Sequence, residues 1–148
     1  MSPIQQRVKA NIMSEAPSVF ISHPFTTNRE VTNQLAEALK KSGLNLNSLE
    51  DTSATAPMDV AIRQMIERSD FVIADLTGSN PNVMFEVGFA RGLGKSILPI
   101  VQETEAQVSP HVAGMIYVPY DPQKPDKMIN YVLSWVKRRQ PELQPAGI

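Results

Sequence analysis

The chain has 148 residues, of which 42% are hydrophobic and 20% charged, with 14 lysines and arginines against 15 acidic residues and a formal net charge of −1. These proportions fit one globular domain and exclude a disordered or fibrous chain, and the balanced charge supplies no field to hold nucleic acid or an anionic membrane as the main partner. Cysteine is absent, which rules out disulfides and thiolate metal sites.

The segment Met1 to Ala16 is polar and lacks the apolar core of a signal peptide. It reads as an N-terminal extension over 1–16. The run Ser18 to Ser22 is short, β-branched or aromatic, and reads as the first strand. Asn28 to Ser42 sets Val31, Leu35, Ala38 and Leu39 on one stripe and stops at Gly43, the pattern of an amphipathic helix. Asn45 to Leu49 is a weaker strand. Met58 to Arg68 repeats the helical stripe through Val60, Ile62, Met65 and Ile66, with Pro57 near its start.

Phe71 to Leu76 is apolar on successive residues, as expected of a strand buried on both faces. Pro81 to Leu93 predicts a third helix closed by Gly94, and Ser96 to Val101 another buried strand. A polar loop from Gln102 to Gly114 leads to a strand over Met115 to Pro119. The last helix, Asp126 to Arg139, buries Met128, Ile129, Val132, Leu133 and Trp135, and its Lys137, Arg138 and Arg139 complement the negative end of the helix. Gln140 to Ile148 reads as a flexible tail, which leaves one α/β domain over 17–139.

Strands alternating with helices predict an α/β fold with a single doubly wound, flavodoxin-like, parallel five-stranded sheet of order 2-1-3-4-5 and helices on both faces. No stretch approaches the roughly 20 apolar residues needed to span a bilayer, so a soluble, cytoplasmic protein is expected. Ligands of such sheets bind beyond the carboxyl ends of the strands, where strands 1 and 3 diverge. Two segments face that place: Ser22-His23-Pro24-Phe25 and Asp75 to Asn82. The Gln102 to Gly114 loop could cover the same rim.

The chemistry-bearing residue is Glu86. Asn80 caps the third helix and Pro81 takes its first position, so the capping-box partner would fall at Val83 and Glu86 is not needed at the helix terminus. Glu86 interrupts the apolar run Val83 to Phe89, on a helix whose opposite face packs on the sheet. Gly88 and Gly92, four apart, cost the helix roughly 1 kcal/mol each relative to alanine and suggest close approach of a neighbouring element or ligand. Two readings of Glu86 stand: a reactive carboxylate at a switch-point pocket, or a buried ion-pair partner of Arg63, Arg91 or Lys95. Asp75 either accepts N–H groups of the Thr77-Gly78 turn or contacts substrate. His23 either stacks on or bonds a ligand, or serves only its loop. His23 and His111 lack metal-ligand spacing, so neither metal nor cofactor is expected.

The run Asp75-Leu76-Thr77-Gly78-Ser79-Asn80-Pro81-Asn82-Val83-Met84-Phe85-Glu86-Val87-Gly88-Phe89-Ala90, followed by Gly94-Lys95 and an apolar strand, resembles the superfamily that joins nucleoside 2-deoxyribosyltransferase-like proteins with prokaryotic TIR-like domains. The likeness is dense from Phe71 to Val101 and colinear from Val19 onward. Two departures accompany it. Where the family's first strand often ends in Phe-x-x-Met-Pro-Phe, this chain has Phe20-Ile21-Ser22-His23-Pro24-Phe25, and Ser79-Asn80-Pro81-Asn82 replaces the Asp-x-Gly-Thr of authenticated deoxyribosyltransferases.

The resemblance implies cleavage, by hydrolysis or transfer, of the N-glycosidic bond of a small-molecule nucleotide or nucleoside, with NAD or a deoxynucleotide as leading substrates. It implies Glu86 as the catalytic residue. Thr77, Asn82 and the amides at the helix start would hold ribose or phosphate oxygens, with Phe25 and Met84 against the base; Ser22, His23, Pro24, Asp75, Gly78 and Asn80 complete the expected substrate-binding set. Two other classes remain open: a nucleotide-sensing module without turnover, and a TIR-type self-assembly domain. Related folds pair through their second and third helices, so a homodimer or higher homo-oligomer is expected.

Overall fold

A computed structural model describes residues 2–3, 16–24, 29–47, 57–103 and 116–140. The chain alternates strand and helix as β1 (Ser18–Ser22), α1 (Arg29–Lys41), β2 (Asn45–Asn47), α2 (Met58–Arg68), β3 (Phe71–Asp75), a 3-10 turn (Thr77–Ser79), α3 (Pro81–Gly92), β4 (Ser96–Gln102), β5 (Val118–Tyr120) and α4 (Asp126–Arg139). The five strands are parallel and lie in the order β2-β1-β3-β4-β5. This is the flavodoxin-like arrangement that the sequence pattern predicts.

Side chains of a strand alternate between its faces, and β3 shows how both faces come to be covered. Phe71 and Ile73 join Val19, Leu35, Leu39, Val132 and Trp135 in a core under α1 and α4. Val72 packs with Phe20, Met65, Ile66 and Ala90, and Ala74 with Leu76, Val83 and Val87, under α2 and α3. All of β3 is buried, which is why its sequence is an unbroken apolar run up to Asp75. Phe71 meets the Trp135 ring edge-on at 5.6 Å, an aromatic contact that ties the sheet to the last helix.

The last strand begins later than its sequence suggests. Met115 to Pro119 was the expected span, yet Ile116 is exposed and pairing with β4 starts at Val118 and runs to Tyr120. Pro99 accounts for the difference. Glu103 N–H donates to the Tyr120 carbonyl at 2.8 Å, and in a parallel ladder donors to one neighbour recur at every second residue. Val101 is the preceding donor and residue 99 the one before it. A proline there has no N–H to give, so the ladder cannot extend back to Ile116.

Other boundaries differ by a residue or two, the usual uncertainty of element ends. Most of the N-terminal extension, Phe25, Asn28, Leu49, His111, Met115, the loop over 104–114 and the tail over 141–148 lie outside the described residues. No helix among the described residues is long and apolar enough to cross a membrane.

The glycines of α3 correct an expectation. Gly88 and Gly92 are exposed, and nothing lies within 4 Å of where a Cβ would stand at either. Among the described residues, no neighbouring element presses on them. The helix packs on the sheet through a different stripe. Gly88→Ala should therefore raise stability by about 1 kcal/mol, the helix-propensity difference, read as a higher midpoint in urea denaturation; a lower midpoint would show that the backbone approach exists after all.

Candidate functional site

The approach to α3 is built from one carboxylate. Asp75, at the end of β3 and 2% exposed, accepts the Thr77 N–H at 3.0 Å and the Thr77 hydroxyl at 2.6 Å on Oδ1. Its Oδ2 accepts the Tyr120 hydroxyl at 2.6 Å. Thr77 Oγ1 in turn accepts the N–H of Gln102 at 3.0 Å. The carboxyl ends of β3, β4 and β5 are thereby joined in one buried network. The turn then passes through left-handed backbone at Gly78 (φ 73°) and Ser79 (φ 50°), and glycine meets this need without a side-chain clash. Asn80 ends the turn: its Oδ1 accepts from Asn82 N–H at 2.9 Å and Val83 N–H at 3.3 Å, with Pro81 at the first helical position.

With the helix start held in this way, residues 83, 86, 87 and 90 fall on one side, the i, i+3, i+4, i+7 stripe of a helix. Val83, Glu86, Val87 and Ala90 are the buried residues of α3. Glu86 thus belongs to the sheet-facing stripe, contrary to the expectation that the opposite face packs on the sheet. Phe85, which looks like a core residue in sequence, is exposed instead.

Glu86 settles over the carboxyl end of β1. Phe20 faces α2 and α3, so two residues on Ser22 faces the same way, and Ser22 is paired in the sheet with Ala74. The Ser22 hydroxyl, itself 1% exposed, donates to Glu86 Oε2. Burial raises the Glu86 pKa above its ordinary value of 4.5, while the Ser22 hydrogen bond and the charge of His23 each draw it back down. The ion-pair reading of Glu86 does not match these partners. Arg63 pairs with Asp59 at 3.5 Å, Lys95 Nζ donates to the Glu67 carbonyl at 2.8 Å, and Arg91 is exposed.

His23 is half-buried beside this carboxylate, with Nδ1 3.0 Å from the Pro24 carbonyl oxygen, and Pro24 is buried. Asn82 and Gly78 are exposed at the helix entrance, and Met84 is half-buried against the Ala74, Leu76 and Val101 cluster. The arrangement therefore has two parts: Ser22, His23 and Glu86 at the divergence of β1 and β3, and the Asp75, Thr77 and Tyr120 network beside it. Tyr120 is the residue that sequence reasoning missed. It stands 45 positions from Asp75, and no local pattern marks the pair. Among the described residues, no group of three or more histidines and carboxylates is placed to hold a metal ion.

The family model for nucleoside 2-deoxyribosyltransferase matches residues 15–117, well over half of the chain. The chain belongs to this family. No curated protein matches it in sequence. Among solved structures, this deoxyribosyltransferase-family chain is similar to a CMP N-glycosidase of Clostridium botulinum, with a TM-score of 0.62 at 20% identity over 80% of this chain and 98% of the other. It is similar to the TIR domain of a Toll-related receptor of Hydra magnipapillata (TM-score 0.65, 19% identity, 81% and 97% covered). It is also similar to a 2-deoxyribosyltransferase of Leishmania mexicana (TM-score 0.54, 17% identity, 78% and 98% covered). At these identities the three share a fold with the family domain described here.

Because the Tyr120 hydroxyl is a direct partner of the buried Asp75 Oδ2, Tyr120→Phe should leave that oxygen unsatisfied at a cost of about 1–3 kcal/mol. Denaturant unfolding of the two proteins side by side measures it, and an unchanged midpoint would mean that solvent reaches Asp75 freely.

Proposed function

We propose that the protein cleaves the N-glycosidic bond of a nucleotide or nucleoside, with NAD and deoxynucleotides as leading substrates and Glu86 as the catalytic residue. One observation carries the reading: a carboxylate on the buried stripe of α3, at the switch point of the sheet, is bonded to a serine rather than to a cation. The buried Asp75 carboxylate beside it is occupied on both oxygens by Thr77 and Tyr120, as a structural role requires, whereas Glu86 takes a single hydroxyl on one oxygen. Membership of the nucleoside 2-deoxyribosyltransferase family and the fold shared with a CMP N-glycosidase support the same chemistry.

In this reading the C1′–N bond breaks with its electron pair leaving on the base, and positive charge builds on C1′ and the ring oxygen. The Glu86 carboxylate lies against C1′ or the 2′-hydroxyl, where it stabilises that charge or captures C1′ as a glycosyl ester. Water, or a second base, then adds to C1′ and regenerates the carboxylate; the proton released by the water or by the ring N–H of the incoming base goes to the departed base when that base leaves as an anion. Nicotinamide leaves neutral and requires no such proton. His23, Pro24, Phe25 and Met84 are assigned to the base and sugar, and Thr77, Gly78, Asn80 and Asn82 to the entrance where phosphate or ribose oxygens approach. Asp75 acts through the turn that it holds.

The pKa shift has a consequence for stability. The folded state holds the Glu86 proton more tightly than the unfolded chain, so folding loses stability as pH rises from 4.5 through the higher folded value. Glu86→Gln keeps an acceptor for Ser22 and removes that loss. Purified wild type and Glu86→Gln, incubated separately with NAD, nucleosides and deoxynucleoside monophosphates, should differ completely in free base released on chromatography. The variant should also melt higher than wild type at pH 8, with the gap closing towards pH 4. Equal base release by both would remove Glu86 from the reaction, and none from wild type would leave a nucleotide sensor or an assembly module.

The assembly reading has an observation of its own, since Met58 at the start of α2 and Phe85 on α3 are each 62% exposed. We propose that copies of the chain pair through these two helices. Sedimentation at high concentration should give a dimer mass, and a monomer mass would retire the pairing.

A further inference from the structure

The Ser22 hydroxyl and the Glu86 carboxylate do more than meet. Ser22 Oγ occupies Oε2. Among the described residues every fully buried side-chain nitrogen or oxygen has a hydrogen-bond partner, whereas Oε1 takes no hydrogen bond from any described residue. Oε1 is therefore not fully buried. It keeps some access to solvent on a residue that is only 8% exposed as a whole. The two oxygens of one carboxylate are thus made unequal by a single hydroxyl.

We propose that Ser22 is a positioning residue: by holding Oε2 from the end of β1, it fixes the carboxylate plane and presents Oε1 as the oxygen that meets the anomeric carbon. This rests on the assignment of Glu86 above and departs from the expectation that Ser22 binds substrate. A 1%-exposed hydroxyl already committed to a carboxylate has no donor left for a ligand. A glutamate side chain on a helix turns about three bonds, and a reacting oxygen must sit about 3–3.5 Å from the carbon that it approaches, in line with the breaking bond. Val83 and Val87 on the same stripe pack the stem of the helix, but only a directional bond can choose the rotation of the carboxylate itself.

Among the described residues, the charged groups around α3 leave this role to Ser22. On β1 the flanking group is His23, whose charge acts on Glu86 without a hydrogen bond to it. On β3, Asp75 is taken by Thr77 and Tyr120. On α2, Arg63 is paired with Asp59, and the Glu67 carbonyl holds Lys95 from the start of β4. On α3 itself Arg91 is exposed.

Ser22→Ala removes the donor with little change of volume, and Ser22→Thr retains it. The Glu86 carboxyl carbon, identified in labelled protein by its loss in Glu86→Gln, is followed by NMR titration in wild type and both variants. Loss of a bond that favours the ionised form should move the Glu86 titration to higher pH in Ser22→Ala, with Ser22→Thr returning towards wild type. With the substrate that wild type turns over, kcat in Ser22→Ala should fall about 10- to 100-fold while KM stays within about twofold, and the acid limb of the kcat profile should move up with the carboxyl titration.

An unmoved carboxyl titration in a folded Ser22→Ala protein overturns the proposal, as does an unchanged kcat. A raised KM with kcat intact also overturns it and returns Ser22 to substrate binding. If wild type releases no base at all, it is the proposed activity that fails. The carboxyl titration then still decides whether Ser22 holds Glu86.

Discussion

A carboxylate on the sheet-facing side of a helix is the constraint around which this protein is arranged. Glu86 shares a buried stripe with Val83, Val87 and Ala90, where desolvation acts against its charge. The fold offers it one hydroxyl, from Ser22 at the end of the neighbouring strand. That hydroxyl is available because β1 and β3 sit side by side in register, Ser22 beside Ala74, with α3 crossing over the same face. In the proposed reaction, a carboxylate satisfied by a neutral donor keeps its own charge for a developing cation, whereas an arginine partner would already have neutralised it.

Placing Glu86 depends on where α3 begins, and the Asp75 network decides this. One buried carboxylate orders the Thr77 turn, receives Tyr120 from β5 and is linked through Thr77 to the backbone of Gln102. Three strand ends are joined at the point where the chain leaves the sheet. Asn80 and Pro81 then start the helix without unsatisfied N–H groups. A shift of one residue in this start would turn Glu86 by about 100° around the helix axis, at 3.6 residues per turn, and move it off Ser22. The left-handed backbone at Gly78 and Ser79 is the cost of turning this sharply, and the network offsets it.

The shared fold of glycosidase, deoxyribosyltransferase and TIR domains shows how little of this arrangement a fold specifies. Chain topology supplies a crevice at the divergence of β1 and β3. The chemistry is added by a few side chains at its edges. In the reaction proposed for this chain those are a serine and a histidine where the first strand ends, and a glutamate in the second turn of α3.

Much of the architecture was legible in the residues themselves. The alternation of short apolar runs with amphipathic stripes determined an α/β sheet, its order and the span of α2 and α4, because both periodicities are local and repeat several times along the chain. The Asn-Pro-Asn start of α3 was equally legible, since a cap and a first-turn proline act on their immediate neighbours. Glu86 stood out as a charge inside an apolar run. What it touches did not. The Ser22 bond joins positions 64 residues apart and the Tyr120 bond positions 45 apart, and neither leaves a trace in local spacing. The start of β5 depended on a missing N–H at Pro99, in a different strand. The glycines of α3 read as signs of close packing and proved to lie on the open face, because α3 is apolar nearly all round and its pattern does not say which side turns inward. That orientation, and with it the serine partner of Glu86 in place of a cation, was decided only when the helix was laid across the end of the sheet.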